Sequence, residues 1–271
     1  APGSANARRL AAQAQLAQGQ PARALAVLAP LTGAKATDAA ALTLAAQAHL
    51  LAGDVAPATA LFQRAAKLRP DDPKIRTALA LANLRGGHQE AALAELQRVA
   101  ASDSQGSTAD LALIAAQLNR RAYDAALQAV ATLERKQPSL PLPAQLRGLV
   151  LVARKDTAGA RAAFEQALAR DADYFPAVSA LARLDLAAQQ PAAARARFDT
   201  LIQRNPRNAA AYLALADLDQ RAGAGRDAVA ATLGAGIQAS PDDASLRLAL
   251  VSHHLATANP KAAAAAAQAG L

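Results

Sequence analysis

A repeat of 34 residues is the feature that most constrains how this chain can fold. Stepping by 34 residues from Ala24 meets an alanine at every position through Ala228. Four residues after each of the first six alanines comes a larger apolar residue, and three of the chain's four phenylalanines lie there. Because two independent columns share one period, the repeat is a true internal one. The larger residues are Leu28, Phe62, Leu96, Val130, Phe164 and Phe198.

The composition indicates that the repeated unit is helical. Hydrophobic residues make up 53% of the 271 residues and aromatic residues only 3%. Alanine, which is the best helix former, is abundant. No segment shows the alternation of β-branched and aromatic residues that is typical of strands. We therefore predict an all-α fold in which small side chains let the helices pack closely.

Further columns give each unit a turn and an end. Glycine recurs near the first turn, at Gly19, Gly53 and Gly87, and proline recurs after the second helix. Glycine can adopt the left-handed conformation that ends a helix, whereas proline cannot continue one. The alanines lie where two helices approach closely, and the phenylalanine or leucine fills the gap beside them. Structural repeat positions are therefore assigned to Gly53, Ala58, Phe62, Pro70, Phe164 and Phe198.

A unit of this length with these columns resembles the tetratricopeptide repeat, a helix-turn-helix hairpin. The resemblance implies a right-handed α-solenoid superhelix of about eight units. The opening residues APGSAN predict a linker, assigned to residues 1–4. The glycine column fails at Arg121, Lys155 and Gln189, where the turn has to form without glycine, and Pro30 predicts a short or irregular second helix. The last unit suggests that further repeats follow in the natural protein. One solenoid is predicted over residues 5–271, with units at about 5–38, 39–72, 73–106, 107–140, 141–174, 175–208, 209–243 and 244–271.

Residue types that serve catalysis or metal binding are not arranged for either task. Cysteine is absent, which excludes disulfides and thiolate ligands. No histidine lies four residues from another histidine or from a carboxylate that would complete a metal-binding helix face. No serine or threonine belongs to a recognisable Ser-His-Asp arrangement. The sequence therefore predicts no catalytic residue, no cofactor and no metal site. The histidines considered are His49, His88, His253 and His254.

The chain is basic, with a formal net charge of +8 and a pI of about 10.4. A basic balance favours an acidic partner, nucleic acid or an anionic polysaccharide. The basic residues are spread along the chain, which is typical of a solvated helical surface. Nucleic acid is disfavoured because stacking needs exposed aromatic residues. Binding of an anionic polysaccharide stays open as an alternative.

In tetratricopeptide solenoids the first helix of each unit lines the concave side, and its second, fifth, ninth and twelfth positions tend to face inward. The resemblance therefore implies a groove of mixed polar and aliphatic side chains that binds protein or peptide ligands. The lysine and asparagine pattern that clamps a C-terminal carboxylate is missing from these positions. The candidate groove residues are Thr43, Gln47, Thr77, Gln145, Ser179, Arg183, Asp217 and Gln220.

Some stretches are similar to a narrower family. The segment DYFPAVSALARLDL and the RFD that follows are similar to the tetratricopeptide-repeat lipoproteins of the bacterial PEP-CTERM/exosortase system (PrsT), and the similarity covers about residues 40–270. It implies a scaffold for exopolysaccharide assembly or export in the periplasm of Gram-negative bacteria, anchored to the outer membrane in the full-length protein. Three alternatives stay open. The chain is then a repeat domain of a cellulose- or alginate-type secretion component, it lies in the cytoplasm, or it self-associates through the last unit.

Overall fold

The computed structural model describes residues 4–269, and these residues form sixteen helices and no strand. The prediction of an all-α fold built from helix-turn-helix units is confirmed. The helices are α1 Ala5–Ala17, α2 Pro21–Thr32, α3 Ala39–Ala52, α4 Val55–Leu68, α5 Pro73–Arg85, α6 Gln89–Ser102, α7 Thr108–Asn119, α8 Tyr123–Lys136, α9 Pro141–Ala153, α10 Thr157–Arg170, α11 Phe175–Ala187, α12 Pro191–Arg204, α13 Ala209–Arg221, α14 Arg226–Ala239, α15 Ala244–Ala256 and α16 Pro260–Gln268.

The chain folds as two compact units, of which the first ends at Lys136 and the second begins at Gln137. Each unit contains four hairpins, in which an odd-numbered helix, called helix A, packs against the following even-numbered helix, called helix B. Helices A of neighbouring hairpins also contact one another. In the first unit α1 contacts α3, and in the second unit α13 contacts α15. Helices A therefore lie side by side, and their shared surface is available to form grooves.

The turn between helix A and helix B has the same geometry in all eight hairpins. In the third hairpin from the end, the N–H of Gln190 donates to the Asp185 carbonyl at 2.9 Å, and the N–H of Gln189 donates to the Leu186 carbonyl at 2.9 Å. These two bonds define the Schellman turn, whose central residue is left-handed. The central residues, all with positive φ, are Gly19, Gly53, Gly87, Arg121, Lys155, Gln189, Gly223 and Ala258.

Side chains cap many of the helix starts. Asp72 accepts hydrogen bonds from the N–H groups of Lys74 and Ile75, at 3.0 and 3.3 Å, and Asp243 makes the equivalent contacts to α15. Of the predicted linker, residues 1–3 lie outside the described residues. Ser4 caps α1, because its hydroxyl accepts a hydrogen bond from the Ala7 N–H at 3.2 Å. Such caps satisfy amides that the helix itself leaves unpaired.

Two irregularities of the sequence repeat have local consequences. Helix α2 continues through Pro30 to Thr32 and has 12 residues, whereas α4 has 14. It is therefore the shorter helix that was predicted, but the proline lies in its last turn and does not interrupt it. The seventh repeat is one residue longer than 34, because Pro241 follows Pro206 by 35 residues, and the extra residue lies in the turn between α13 and α14, which runs from residue 222 to residue 225.

The core of the first six hairpins is built from the repeat columns, with side-chain sizes that compensate one another, whereas in the seventh Ala228 is exposed and Val229 is buried in its place. Helix A contributes Gly148 where helix B contributes the buried ring of Phe164, and an added Cβ on Gly148 would meet that ring. In the preceding hairpin the larger Ile114 is buried together with the smaller Val130. Close packing requires this compensation, because the space between the two helices changes little from hairpin to hairpin.

Candidate functional site

A groove of about 600 Å³ runs along α1, α3 and the start of α5 in the first unit, and is called the first helix-A groove. Two candidate residues from the sequence, Thr43 and Gln47, line it together. The Thr43 hydroxyl donates to the Ala39 carbonyl at 2.8 Å, which leaves its oxygen able to accept a hydrogen bond. Other lining residues are Asn6, Arg9, Leu10, Gln13, Ala40, Leu44, Arg69, Asp72, Lys74 and Ile75.

The first helix-A groove combines an apolar surface with positive charge. Leu10 is 66% exposed and gives the groove an apolar surface. Arg9 is held by an ion pair of 3.1 Å with Asp38. Lys74 is exposed, and the Arg69 and Asp72 side chains approach only to 3.9 Å. Three cations and one carboxylate line the groove, and the ion pair of Arg9 with Asp38 reduces this excess of positive charge.

The second unit has two smaller grooves on its helices A. One of about 220 Å³ lies between α11 and α13, where Ser179, Arg183 and Asp217 meet. A neighbouring groove of about 290 Å³ lies between α13 and α15 and contains Asp217 and Gln220. Asp217 pairs with Arg221 at 2.9 Å and belongs to both grooves. Sequence reasoning missed Arg221, although it follows Asp217 by one helical turn.

Two of the sequence candidates have other roles. Thr77 is only 2% exposed, and its hydroxyl donates to the Pro73 carbonyl at 2.7 Å. It is therefore part of the core of the first unit and is removed from the set of binding residues. Gln145 is partly buried and accepts a hydrogen bond from the Tyr174 hydroxyl at 3.0 Å, so it links α9 to the start of α11.

The structural repeat positions lie where their columns place them. Ala58, Phe62, Phe164 and Phe198 are buried. Gly53 has a φ of 89° at the end of α3. Pro70, like Gly53, is exposed, and it lies in the turn between α4 and α5. These side chains shape the hairpins and leave ligand contacts to the helix-A surface.

Buried ion pairs between hairpins are a feature that sequence reasoning missed. Asp185 on α11 pairs with Arg161 on α10 at 2.7 Å and with Arg197 on α12. One repeat later, Asp219 on α13 pairs with Arg195 on α12 and accepts a hydrogen bond from Thr232. The signal was present in the sequence, because Arg161 and Arg195, like Asp185 and Asp219, lie one period of 34 residues apart.

The balance of forces on Asp185 favours its charged form. Burial alone would raise the pKa of Asp185, but hydrogen bonds from Arg197 and Arg161 outweigh it and hold the pKa below the ordinary value. Asp185 is thus a structural ion that ties three helices together. Between residues 4 and 269 there is no cluster of three or more histidines and carboxylates able to hold a metal ion. In the same range, no helix is long and apolar enough to cross a membrane.

Comparison with known families identifies the hairpins. Residues 9–73 and residues 151–218 each match a family model described as tetratricopeptide repeat. The chain contains tetratricopeptide repeats. One matched segment lies in each compact unit, and both include helix-A surfaces described above. No curated protein matches the chain.

Solved structures are similar to this chain in fold. Pseudomonas aeruginosa pilF is 20% identical with a TM-score of 0.50, and the match covers 76% of this chain and 93% of pilF. The Cut9–Hcn1 hetero-tetramer of the APC/C is 13% identical with a TM-score of 0.51, covering 92% of this chain and 49% of that one. A repeat protein from Parabacteroides merdae is 20% identical with a TM-score of 0.49, covering 84% and 90%. At these identities, pilF and Cut9–Hcn1 show that the fold is an α-solenoid.

Proposed function

We propose that this chain is a non-enzymatic scaffold that binds peptide segments of partner proteins in its helix-A grooves. Tetratricopeptide repeat proteins typically mediate protein–protein interactions. The observation that carries the proposal is the first helix-A groove, where Thr43, Gln47 and the exposed Leu10 line one open cleft of about 600 Å³. Such a cleft offers hydrogen bonds for orientation and an apolar surface for affinity.

The charge of this groove selects the ligand. Arg9, Arg69 and Lys74 outnumber the one lining carboxylate, Asp72. A peptide with acidic residues around one aliphatic side chain therefore complements it, with the aliphatic side chain on Leu10. The acidic residues accelerate association and fix the register, while burial of the apolar side chain supplies most of the affinity.

A binding experiment with matched substitutions tests this proposal. Fluorescence anisotropy measures the affinity of the full chain for labelled peptides that contain Asp or Glu on both sides of a Leu. Lys74→Glu is expected to weaken binding at least tenfold, and Lys67→Glu on the outer surface of α4 is the charge-matched control. Gln47→Ala is paired in the same way with Gln63→Ala. Equal losses in a variant and its control, or affinity that does not fall with added salt, would remove the proposal.

The cellular setting is proposed to be the bacterial envelope, in exopolysaccharide assembly or export linked to the PEP-CTERM system. The support is the similarity of the DYFPAVSALARLDL segment to lipoproteins of that system. Fractionation of cells that express the full-length protein tests the location. Recovery with the periplasm and outer membrane is expected, and recovery with the cytosol contradicts it.

A second candidate function is supported by the charge of the chain. A net charge of +8 favours direct binding of an anionic polysaccharide. Titration with alginate distinguishes this candidate from peptide binding. If the polysaccharide binds the basic surface as a whole, Lys74→Glu and Lys67→Glu should weaken its binding equally. Absence of binding to alginate at low salt excludes this candidate.

A further inference from the structure

A different kind of groove opens on the helix-B side of the first unit. It has a volume of about 620 Å³ and lies between α6, α7 and α8. A groove of about 480 Å³ occupies the equivalent place in the second unit, between α10, α11 and α12. Lining residues of the two correspond at a spacing of two repeats, which shows that the cleft is a property of the hairpin stacking. Corresponding pairs are Asp110 and Val178, Gln128 and Ala196, and Lys136 and Arg204.

The two grooves differ in the chemistry of one wall. In the first unit the wall carries Asp110, which is 1% exposed, paired at 2.7 Å through Oδ2 with the Lys136 ammonium. The side chain of Lys136 is itself only 11% exposed. In the second unit the same wall position is the aliphatic Val178, and Arg204 pairs instead with Asp173 at 3.3 Å. A buried aspartate therefore belongs to the wall of the first cleft only, whereas the second cleft is lined by Arg197, which pairs with Asp185 outside the lining.

The hydrogen bonding of this ion pair is incomplete. Asp110 Oδ1 is buried and accepts no hydrogen bond from any residue between 4 and 269. Burial raises the pKa of the Asp110 carboxyl, although the hydrogen bond from Lys136 opposes this. An ammonium group carries three donors, of which one is directed to Oδ2. A free acceptor thus lies beside a donor group with remaining capacity, and leaving a buried carboxylate oxygen unpaired is unfavourable.

A neutral group that donates and accepts at once is what this wall requires. A ligand carboxylate would be repelled by Asp110, and a ligand ammonium would be repelled by Lys136 and by Arg135, which also lines the groove. A primary carboxamide has an NH₂ donor and a carbonyl acceptor on one carbon, and so complements an acceptor that lies beside a donor.

We propose that the helix-B groove of the first unit binds a primary carboxamide, namely an Asn or Gln side chain of a partner peptide. The amide NH₂ donates to Asp110 Oδ1, and the amide carbonyl accepts from Lys136 Nζ. Because Oδ1 is shielded from solvent, the flexible methylene stem of Lys136 turns to admit the ligand. Gln128 and Thr132 on α8 border the entrance. This site is independent of the helix-A grooves, since it uses other helices and a neutral ligand.

The test is an NMR titration of the full-length chain with small capped amino acids. The probe is N-acetyl-glutamine methylamide, and the controls are the N-acetyl methylamides of glutamate and norleucine. Saturable shifts confined to the backbone amides around Asp110, Gln128 and Lys136 are expected for the glutamine probe only. Equal shifts with either control, or no saturable shift in this region, would overturn the proposal.

Substitutions locate the site and separate binding from folding. Gln128→Trp adds bulk at an exposed lining position and is expected to abolish the shifts, whereas Ala196→Trp, at the equivalent place in the second unit, should leave them unchanged. Asp110→Asn replaces the free acceptor and should also abolish them. If Asp110→Asn fails to fold, the Trp pair still decides the outcome. Binding of the glutamine probe that survives Gln128→Trp contradicts the assignment. This outcome is independent of whether peptides bind in the helix-A grooves.

Discussion

Gly148 on α9 lies against the ring of Phe164 on α10, so close that a Cβ on residue 148 would come within 2.6 Å of the Phe164 Cδ1 atom. Carbon atoms in van der Waals contact are about 3.5–4 Å apart, so no side chain fits here unless the helices separate. Both residues belong to columns of the 34-residue repeat. The pair shows how the hairpin accepts a large aromatic ring by removing the facing side chain.

Substitution of Gly148 by alanine is expected to destabilise the second unit. The added methyl forces Phe164 or the backbone to move, and overpacking of this kind costs about 1–3 kcal/mol. Chemical denaturation followed by circular dichroism measures the change. The double variant Gly148→Ala with Phe164→Leu should recover part of the loss, because leucine frees space at the contact.

Gly234 provides the matched control for this prediction. It lies inside α14, and nothing stands within 4 Å of an added Cβ. Gly234→Ala should therefore stabilise the protein, by about 0.5–1 kcal/mol, since alanine favours the helix. The packing explanation for Gly148 is wrong if both substitutions change the free energy of unfolding in the same direction.

Asp185→Asn is expected to reduce the free energy of unfolding by about 2 kcal/mol. Loss of one partner from a buried ion pair usually costs more, but Arg161 and Arg197 are partly exposed and regain some hydration. Asp217→Asn removes a carboxylate from an exposed pair on the same unit and should cost under about 0.5 kcal/mol. Urea denaturation of both variants at neutral pH checks the ranking, and a larger effect at Asp217 would refute it.

The stability contributions of Asp185 and Asp110 should depend on pH in opposite senses. The pKa of Asp185 is lowered on folding, so its contribution is present above the unfolded pKa and is lost as pH falls through the folded pKa. The pKa of Asp110 is raised, so the native state takes up a proton first and wild type gains stability relative to Asp110→Asn as pH falls. Denaturation of wild type and both Asn variants from pH 7 down to acid conditions measures this. The prediction is contradicted if the stability difference between wild type and Asp185→Asn and that between wild type and Asp110→Asn change in the same direction with pH.

The left-handed turn column offers a stabilising substitution. Gln189 has a φ of 59°, a conformation that costs a residue with a Cβ about 1–2 kcal/mol. Gln189→Gly removes this strain, but glycine also raises the conformational entropy of the unfolded state, which offsets part of the gain. The expected net stabilisation is about 0.5 kcal/mol. Gly87→Ala, at the same turn position with a φ of 85°, should destabilise it by about 1 kcal/mol. Thermal denaturation of the two variants compares them directly. A loss of stability in Gln189→Gly would show that contacts of the glutamine side chain stabilise the protein by more than the strain costs.

Much of the fold follows from the period, because one hairpin geometry imposes the same residue demands every 34 positions. The positions of Gly53, Ala58 and Phe62 follow from it directly. The candidate site was less predictable. Thr43 and Thr77 occupy the same repeat position, yet Thr43 lines a groove and Thr77 is buried. The burial of a helix-A residue depends on the side chains that the neighbouring hairpin packs against it. The repeat period alone does not predict those contacts.

By itself, the sequence determined the all-α fold, the hairpin repeat and the residues at which helices touch, since these depend on contacts within one period. Only the tertiary structure decided which polar residues share a groove, that Asp185 joins Arg161 and Arg197, and that Asp110 keeps a carboxylate oxygen unpaired. Those relationships join residues from different helices, and the pair of Asp185 with Arg161 joins different hairpins. They depend on how helices stack in space, where small differences in side-chain volume decide whether a surface opens or closes.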